Sequence, residues 1–454
     1  MTKSGTNLDV MVIMKRILLS FAFLIIISAK AQNTISGSFF PANDYSWLIA
    51  YRLKPGTQVY AADTAIKNGD FTLKLPEDSP SGTYRLVYAV PQEEYFFDVI
   101  YNGKEDIKLK FDQEQGVDFI ISDENILFGT YFKEINSIEQ SLISYYAEGS
   151  SNKKVYQEIL QKFHKVQKKY EDKSENLVSH QFIKANKPYI PTDHETVQDY
   201  VQNRKNSYFE NLDLNNPILH SSGFLTDKLT NYAFTALPLE TLKKEETEIE
   251  IQENVSVIAE NLKGVSDTYL FHVFYTLWTQ SIATGFEDTA DHIFKTHLKP
   301  SPLAATNKDV IDKIEIYNRL RIGAVAPKMN WKEGETTKSL SSLEEAENYI
   351  LIFWSSTCGH CLRELPALHK ELKKYKNIKV VAVGLENSKD TWELESAKLD
   401  GFSHAIALGK WESDYAKLYD IHATPSYFIL DSNKKIIAKP ETDKEIVEFL
   451  KEND

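Results

Sequence analysis

The sequence predicts a multidomain α+β protein: an N-terminal antiparallel β-sandwich, a central α-helical region and a C-terminal α/β domain. Three successive textures carry this expectation. Apolar and polar residues alternate in short runs to about residue 123, apolar residues then recur every three or four positions to about 321, and strand-like and helix-like runs take turns after that. A length of 454 residues exceeds one ordinary core, and 42% hydrophobic with 12% aromatic content is that of a globular chain. A net charge of −13 argues against nucleic acid or an anionic membrane as the main partner.

At the N-terminus, Lys15-Arg16 precedes the apolar run Ile17–Ile27, which ends at Ser28-Ala29-Lys30-Ala31. A basic start, a short apolar stretch and an Ala-x-Ala site form the pattern of a secretory signal cleaved after Ala31, with Met14 as its compact start. The run is shorter than the roughly 18–20 residues that span a bilayer. No cysteine stands at the cleavage site, so no lipid anchor is expected. Residues 1–31 are thus expected to direct export to the periplasm or cell envelope.

Residues 32–123 form the first expected domain. Trp47–Leu53, Phe71–Leu75, Tyr84–Val90, Tyr95–Tyr101 and Ile107–Phe111 are rich in aromatic and branched residues. Phe71, Leu73 and Leu75 alternate with Thr72 and Lys74, and Asn68-Gly69 is a strong hairpin turn. The helical region, 124–321, opens with Leu127, Tyr131, Ile135, Ile138, Leu142 and Tyr145 on one face. A second stripe follows at Val155, Ile159, Phe163, Val166 and Tyr170, and Leu270, Val273, Leu277 and Ile282 suggest a mostly buried helix. Asp288, Asp291, His292 and His297 invite a metal reading, but positions five apart do not share a helix face, so they read as exposed helix residues. His272, inside the apolar run Tyr269–Trp278, reads as a core histidine.

The last domain, 322–454, follows the order strand (Tyr349–Trp354), helix (from Cys358), strand (Ile378–Leu385), helix (Asp390–Leu399) and strand (His404–Leu408). A short helix, two edge strands at Ser426–Leu430 and Lys435–Ala438, and a final helix from Asp443 complete it. Its chemistry lies in Trp354-Ser355-Ser356-Thr357-Cys358-Gly359-His360-Cys361, which joins a strand to a helix start. A thiol at a helix N-terminus meets unpaired N–H groups and the positive end of the dipole, which favour its thiolate. Cys358 and Cys361 are the chain's two cysteines, so no other thiol competes with them. Structural zinc normally takes four ligands, so this pair is expected to work without metal or cofactor.

The strand before the cysteines, the helix after them and Thr424-Pro425 opening a later strand make residues 322–454 resemble the thioredoxin superfamily. Within it they resemble the exported TlpA/ResA-like thiol–disulfide oxidoreductases. Trp354 four residues before the first cysteine, Cys358-Gly359-His360-Cys361 and Pro366 in the following helix are shared marks. The extra helix and strand between Glu386 and Pro425 resemble the central insertion of that group. The small β-domain upstream is similar in pattern to one that precedes thioredoxin domains in some envelope proteins.

The resemblance implies a thioredoxin-like fold, a redox disulfide Cys358–Cys361, and a cis Pro425 that leaves Thr424 free to pair with an extended substrate, with Trp354 also expected at the substrate-binding site. It also implies disulfide or dithiol proteins as substrates and a membrane thiol electron donor. In that chemistry Cys358 attacks and Cys361 resolves. His360 is expected to donate to the Cys358 thiolate, and Gly-His is also the dipeptide of protein disulfide isomerases. Two departures stand out. Ile352 occupies the place of thioredoxin's buried aspartate, and Thr357 that of a common second tryptophan. Glu386 lies near an acidic residue of ResA-like proteins and is expected to accept the Cys361 proton. Electron flow is expected in the reductase direction, with an oxidase or isomerase as the alternative. A partner-binding envelope protein with secondary redox turnover is a further alternative. A peroxiredoxin is disfavoured, because no proline precedes Cys358 in the Pro-x-x-x-Thr-x-x-Cys pattern.

Overall fold

The computed structural model describes residues 33–344 and 346–453; the proposed signal segment lies outside the described residues. The chain divides into two compact units, one ending at Ile293 and the other running from Phe294. Among the described residues no helix is long and apolar enough to cross a membrane.

The first unit begins with eight strands: β1 (Thr34–Phe40), β2 (Trp47–Lys54), β3 (Thr57–Ala65), β4 (Asp70–Lys74), β5 (Gly82–Val87), β6 (Phe96–Tyr101), β7 (Ile107–Asp112) and β8 (Gly116–Ile121). They form two four-stranded sheets, in the orders β4-β1-β7-β8 and β3-β2-β5-β6. Ile35, Phe39, Leu48, Phe71, Leu73, Tyr84, Leu86 and Leu109 fill one core. The expectation of a wholly antiparallel sandwich is corrected at one pair, because β1 and β7 run parallel, from Ile35↔Ile107 to Phe40↔Asp112. Between these two strands the chain crosses to the other sheet for β2 and β3, returns for β4 and crosses again for β5 and β6, so β7 can enter beside β1 in the same direction. The strands approach closely: a Cβ on Gly37 would lie 2.1 Å from the Leu109 carbonyl oxygen.

Helix Asp123–Ala147 starts directly after β8, with Ser122 capping the Asn125 N–H. Asn125 then fastens the helix to β6, donating to Ile100 O at 2.8 Å and accepting from Ile100 N–H at 2.8 Å. Tyr131, Ile135, Ile138, Leu142 and Tyr145 pack against Ile159, Phe163 and Tyr170 of helix Lys153–Ser174. Val155, expected on that buried stripe, is exposed at the first turn of its helix. His272 is half-buried rather than in the core, and burial lowers its pKa. It lines a cleft of about 520 Å³ with His220, Lys54 and Arg85.

In the second unit, helix Lys308–Leu320 belongs with the C-terminal domain: Leu320 joins its core and Arg319 Nε donates to Leu418 O at 2.9 Å. The compact unit therefore starts before the texture change at residue 322. A hairpin that sequence texture does not announce, β9 (Asn330–Glu333) and β10 (Thr336–Ser339), follows the helix. The main sheet holds β11 (Asn348–Trp354), β12 (Ile378–Glu386), β13 (Ser403–Leu408), β14 (Ser426–Leu430) and β15 (Ile436–Ala438) in the order β13-β12-β11-β14-β15. β11, β12 and β13 are parallel, and β14 and β15 antiparallel.

β11 reads as a continuous apolar run because both its faces are covered. Leu351 and Phe353 face a core with Leu320, Met329, Trp331 and Tyr419. Ile350, Ile352 and Trp354 face the other, with Leu365, Leu368 and Leu372 of helix Gly359–Leu372 and with Ile446 and Leu450 of helix Asp443–Glu452. Cys361 joins that apolar stripe, so packing of the helix alone sets how deep the second cysteine sits.

Candidate active site

The site forms where β11 and β12 end and β14 begins. Cys358 is the N-cap of helix Gly359–Leu372, and its sulfur accepts the Cys361 N–H at 3.3 Å. The Cys358 thiol donates to the Thr424 carbonyl oxygen at 3.3 Å, and the Thr424–Pro425 bond is cis. Both cysteines are free thiols, Cys358 half-buried and Cys361 wholly buried. Their acidities are driven apart. Burial pushes the Cys358 thiol up, but hydrogen bonds from the Cys361 thiol and N–H, from the Thr424 side chain and from the His360 N–H outweigh it and leave the pKa lowered. Cys361 is pushed up to about 12 by burial, and then by its hydrogen bond to Cys358. The arrangement presents one ready nucleophile with a second thiol held in reserve behind it.

Trp354, expected at the substrate-binding site, is instead 1% exposed, in the apolar layer beneath the pair. The His360 side chain is engaged along its own helix: Arg363 donates to His360 Nδ1 at 2.9 Å, and Glu364 lies 3.5 Å from the same nitrogen. Arginine can only donate, so Nδ1 acts as an acceptor in that contact. The contribution of His360 to the thiol is its backbone N–H, not the imidazole expected from the sequence. Glu386 is 3% exposed and stands behind the loop. One of its oxygens accepts the Ser356 N–H, and the other accepts Ser355 Oγ at 3.3 Å. Ser356 Oγ in turn bonds Thr391 Oγ1 at 2.7 Å, tying the loop to helix Asp390–Ser396. Both Glu386 oxygens thus hold the loop that carries Cys358, and no hydrogen bond joins them to either sulfur.

Sequence reasoning missed the Ser355–Ser356 anchor, whose only signal was two small polar residues between an apolar strand and the cysteines. Among the described residues no group of three His, Cys, Asp or Glu is set to hold a metal ion. Asp291, His292 and His297 are half-buried rather than exposed.

A parallel core with an antiparallel edge, a cysteine pair at a helix start and a cis Thr424–Pro425 bond whose carbonyl meets the first sulfur define a thioredoxin-like thiol–disulfide oxidoreductase domain. Residues 322–439 match the model of the AhpC/TSA family, and this domain is of the thioredoxin superfamily. Protein FixW of Rhizobium leguminosarum is 26% identical over 136 residues, which cover 26% of this chain and 59% of that protein. The match thus spans less than two thirds of its length. A domain described as a possible thiol–disulfide isomerase from Cytophaga hutchinsonii is 34% identical, over 30% of this chain and 93% of that one, with a TM-score of 0.27. A thioredoxin-like protein from Bacteroides caccae aligns over 59% of this chain and 98% of its own, at 17% identity and a TM-score of 0.30.

Proposed function

We propose that the chain is an exported thiol:disulfide oxidoreductase of the TlpA/ResA kind, exchanging disulfides with protein substrates through Cys358 and Cys361 as a reductase in the periplasm or cell envelope. The observation that carries this reading is the asymmetry of the two thiols: a half-buried Cys358 with lowered pKa beside a buried Cys361 raised to about 12. In this reading the Cys358 thiolate attacks a substrate disulfide, forming a mixed disulfide and releasing one substrate thiol. Cys361 then attacks the Cys358 sulfur, which leaves the Cys358–Cys361 disulfide and frees the second substrate thiol. Thr424 and Pro425 flank the attacking sulfur and receive the substrate backbone, and Trp354 supports the loop from below. A membrane thiol donor restores the dithiol. Export rests on the sequence pattern at residues 15–31.

The lowered Cys358 pKa favours a second reading. Stabilising the thiolate stabilises the reduced form, which makes the disulfide more oxidising and suits an oxidase or isomerase. Equilibration with glutathione separates the two directions by the potential it returns. The reaction class is tested by insulin-disulfide reduction and peroxide consumption, measured on the wild type and on Cys358→Ser. Insulin reduction surviving the substitution would sink the proposal. Consumption of peroxide by the wild type, lost with Cys358, would put peroxide in place of a protein disulfide.

A further inference from the structure

Tyr427 is 3% exposed, and its hydroxyl, shielded from solvent, has no hydrogen-bond partner among the described residues. A buried hydroxyl left unpaired costs stability, so it calls for a reason. It is not remote from the chemistry. β14 pairs Tyr427 directly with Ile352 of β11, on the sheet face covered by the cysteine helix. Tyr427, Ile352, Trp354, Cys361 and Leu365 belong to one buried cluster. The phenol lies within electrostatic reach of Glu364, Asp443 and both sulfurs.

The structure holds the dithiol state, in which Cys361 keeps its proton and needs no donor. The need arises in the second half of the exchange. There the Cys361 sulfur becomes a thiolate inside an apolar layer, where an unpaired charge is expensive. Ile352 offers it nothing, and both Glu386 oxygens are engaged by the loop. We propose that the Tyr427 hydroxyl donates a hydrogen bond to the Cys361 thiolate as that thiolate attacks the mixed disulfide. The inference rests on the redox reading given above. In the step, Cys361 gives its proton to solvent and its sulfur bonds to Cys358 Sγ. The bond to the substrate breaks with its electron pair on the substrate sulfur, which takes up a proton. Tyr427 keeps its own proton throughout, as its raised pKa requires, and acts by stabilising charge rather than by removing it.

The charged groups that face Tyr427 are Glu364 on the cysteine helix and Asp443 on the C-terminal helix, with the two thiols themselves. Tyr427→Phe alters none of them and removes only the unpaired hydroxyl. The test mixes the reduced full chain with one equivalent of dithiobis-nitrobenzoate. The first release of thionitrobenzoate reports attack by Cys358, and the second reports Cys361 closing the disulfide. Tyr427→Phe is expected to keep the first phase at its wild-type rate. The second phase should slow about tenfold, with the midpoint of its pH dependence raised by about one unit. A second phase with the wild-type rate and midpoint would overturn the proposal, as would equal slowing of both phases, which marks a displaced loop. Cys358→Ser in the same assay separates the two levels. If it retained the first phase, the redox reading itself would fall.

Discussion

Glu386 offers the sharpest perturbation, because its position implies a structural role where its sequence suggested proton transfer. Replacing it with Leu keeps the volume and removes both acceptors. The Ser356 N–H, in a residue 5% exposed, then loses a charge-assisted bond and is left buried and unpaired. Ser355 Oγ is hurt less, since it keeps Thr357 Oγ1 at 3.0 Å. A hydrogen bond to a charged group is worth about 1.5–3 kcal/mol, and an orphaned donor costs about 1–3 kcal/mol. Relief from burying a carboxylate offsets part of that. The net cost is about 2–3 kcal/mol, which for a unit running from Phe294 to Asp454 lowers its melting temperature by about 5–10 °C. Glu386→Gln keeps an acceptor oxygen for Ser356 and should cost about 1 kcal/mol. Calorimetric melting and the dithiobis-nitrobenzoate phases are measured on all three proteins. The geometry predicts that the Leu variant loses stability, and that the Gln variant keeps its Cys361 phase within about threefold. A Leu variant that melts with the wild type would refute the anchoring role. A Gln variant whose Cys361 phase falls by orders of magnitude would restore the proton acceptor.

Three further outcomes follow from the same geometry. His360→Ala retains the N–H that lowers the Cys358 pKa and should leave the glutathione equilibrium nearly unmoved. His360→Pro, tolerated in the first helical turn, removes that N–H, and should raise the Cys358 pKa by about one unit and make the disulfide about 30 mV more reducing. Alkylation followed against pH should show two well-separated thiols. A lowered pKa means that the Cys358 thiolate persists to pH values below the usual thiol range, whereas Cys361 should resist reagent until the pH approaches about 12. Two coincident titrations would contradict the asymmetry. Gly37→Ala should destabilise the N-terminal sandwich by more than about 2 kcal/mol, since the added carbon meets the backbone of Leu109 rather than a side chain that can turn away. Chemical denaturation of the full chain checks it.

What the sequence made legible is what period and punctuation encode. Phe71, Leu73 and Leu75 alternate on one face and are buried, and β11, β12 and β14 show as apolar runs between turns. The strands that escaped notice have little apolar signal to give. β3 is largely exposed along Thr57–Ala65, β8 leaves Ile120 and Ile121 in solvent, and β1 is broken by Ser36, Gly37 and Ser38. The parallel β1–β7 pair joins segments far apart in the chain, which no local period records. At the site, the cysteine spacing and Thr424-Pro425 were readable because their chemistry is local or shared with a known superfamily. The direction of the His360 ring was not, since it depends on Arg363 and Glu364 one turn along the helix. The role of Glu386 was hidden for a related reason, because its partners are contributed by the end of another strand. Tyr427 was hidden because a tyrosine in a buried strand looks like packing until its hydroxyl is found without a partner.

The central claim is that Cys358 opens a substrate disulfide and Cys361 resolves the product. Cys361→Ser tests it most directly, because it leaves the nucleophile and removes the group that ends the intermediate. Incubation of reduced Cys361→Ser with a disulfide-bonded protein, followed by mass analysis of peptides under non-reducing conditions, should show substrate covalently held on Cys358. The wild type should hold none at the same time point and carry the Cys358–Cys361 disulfide instead. A Cys361→Ser protein that captures no substrate, or a wild type that never forms the internal disulfide, would contradict the account.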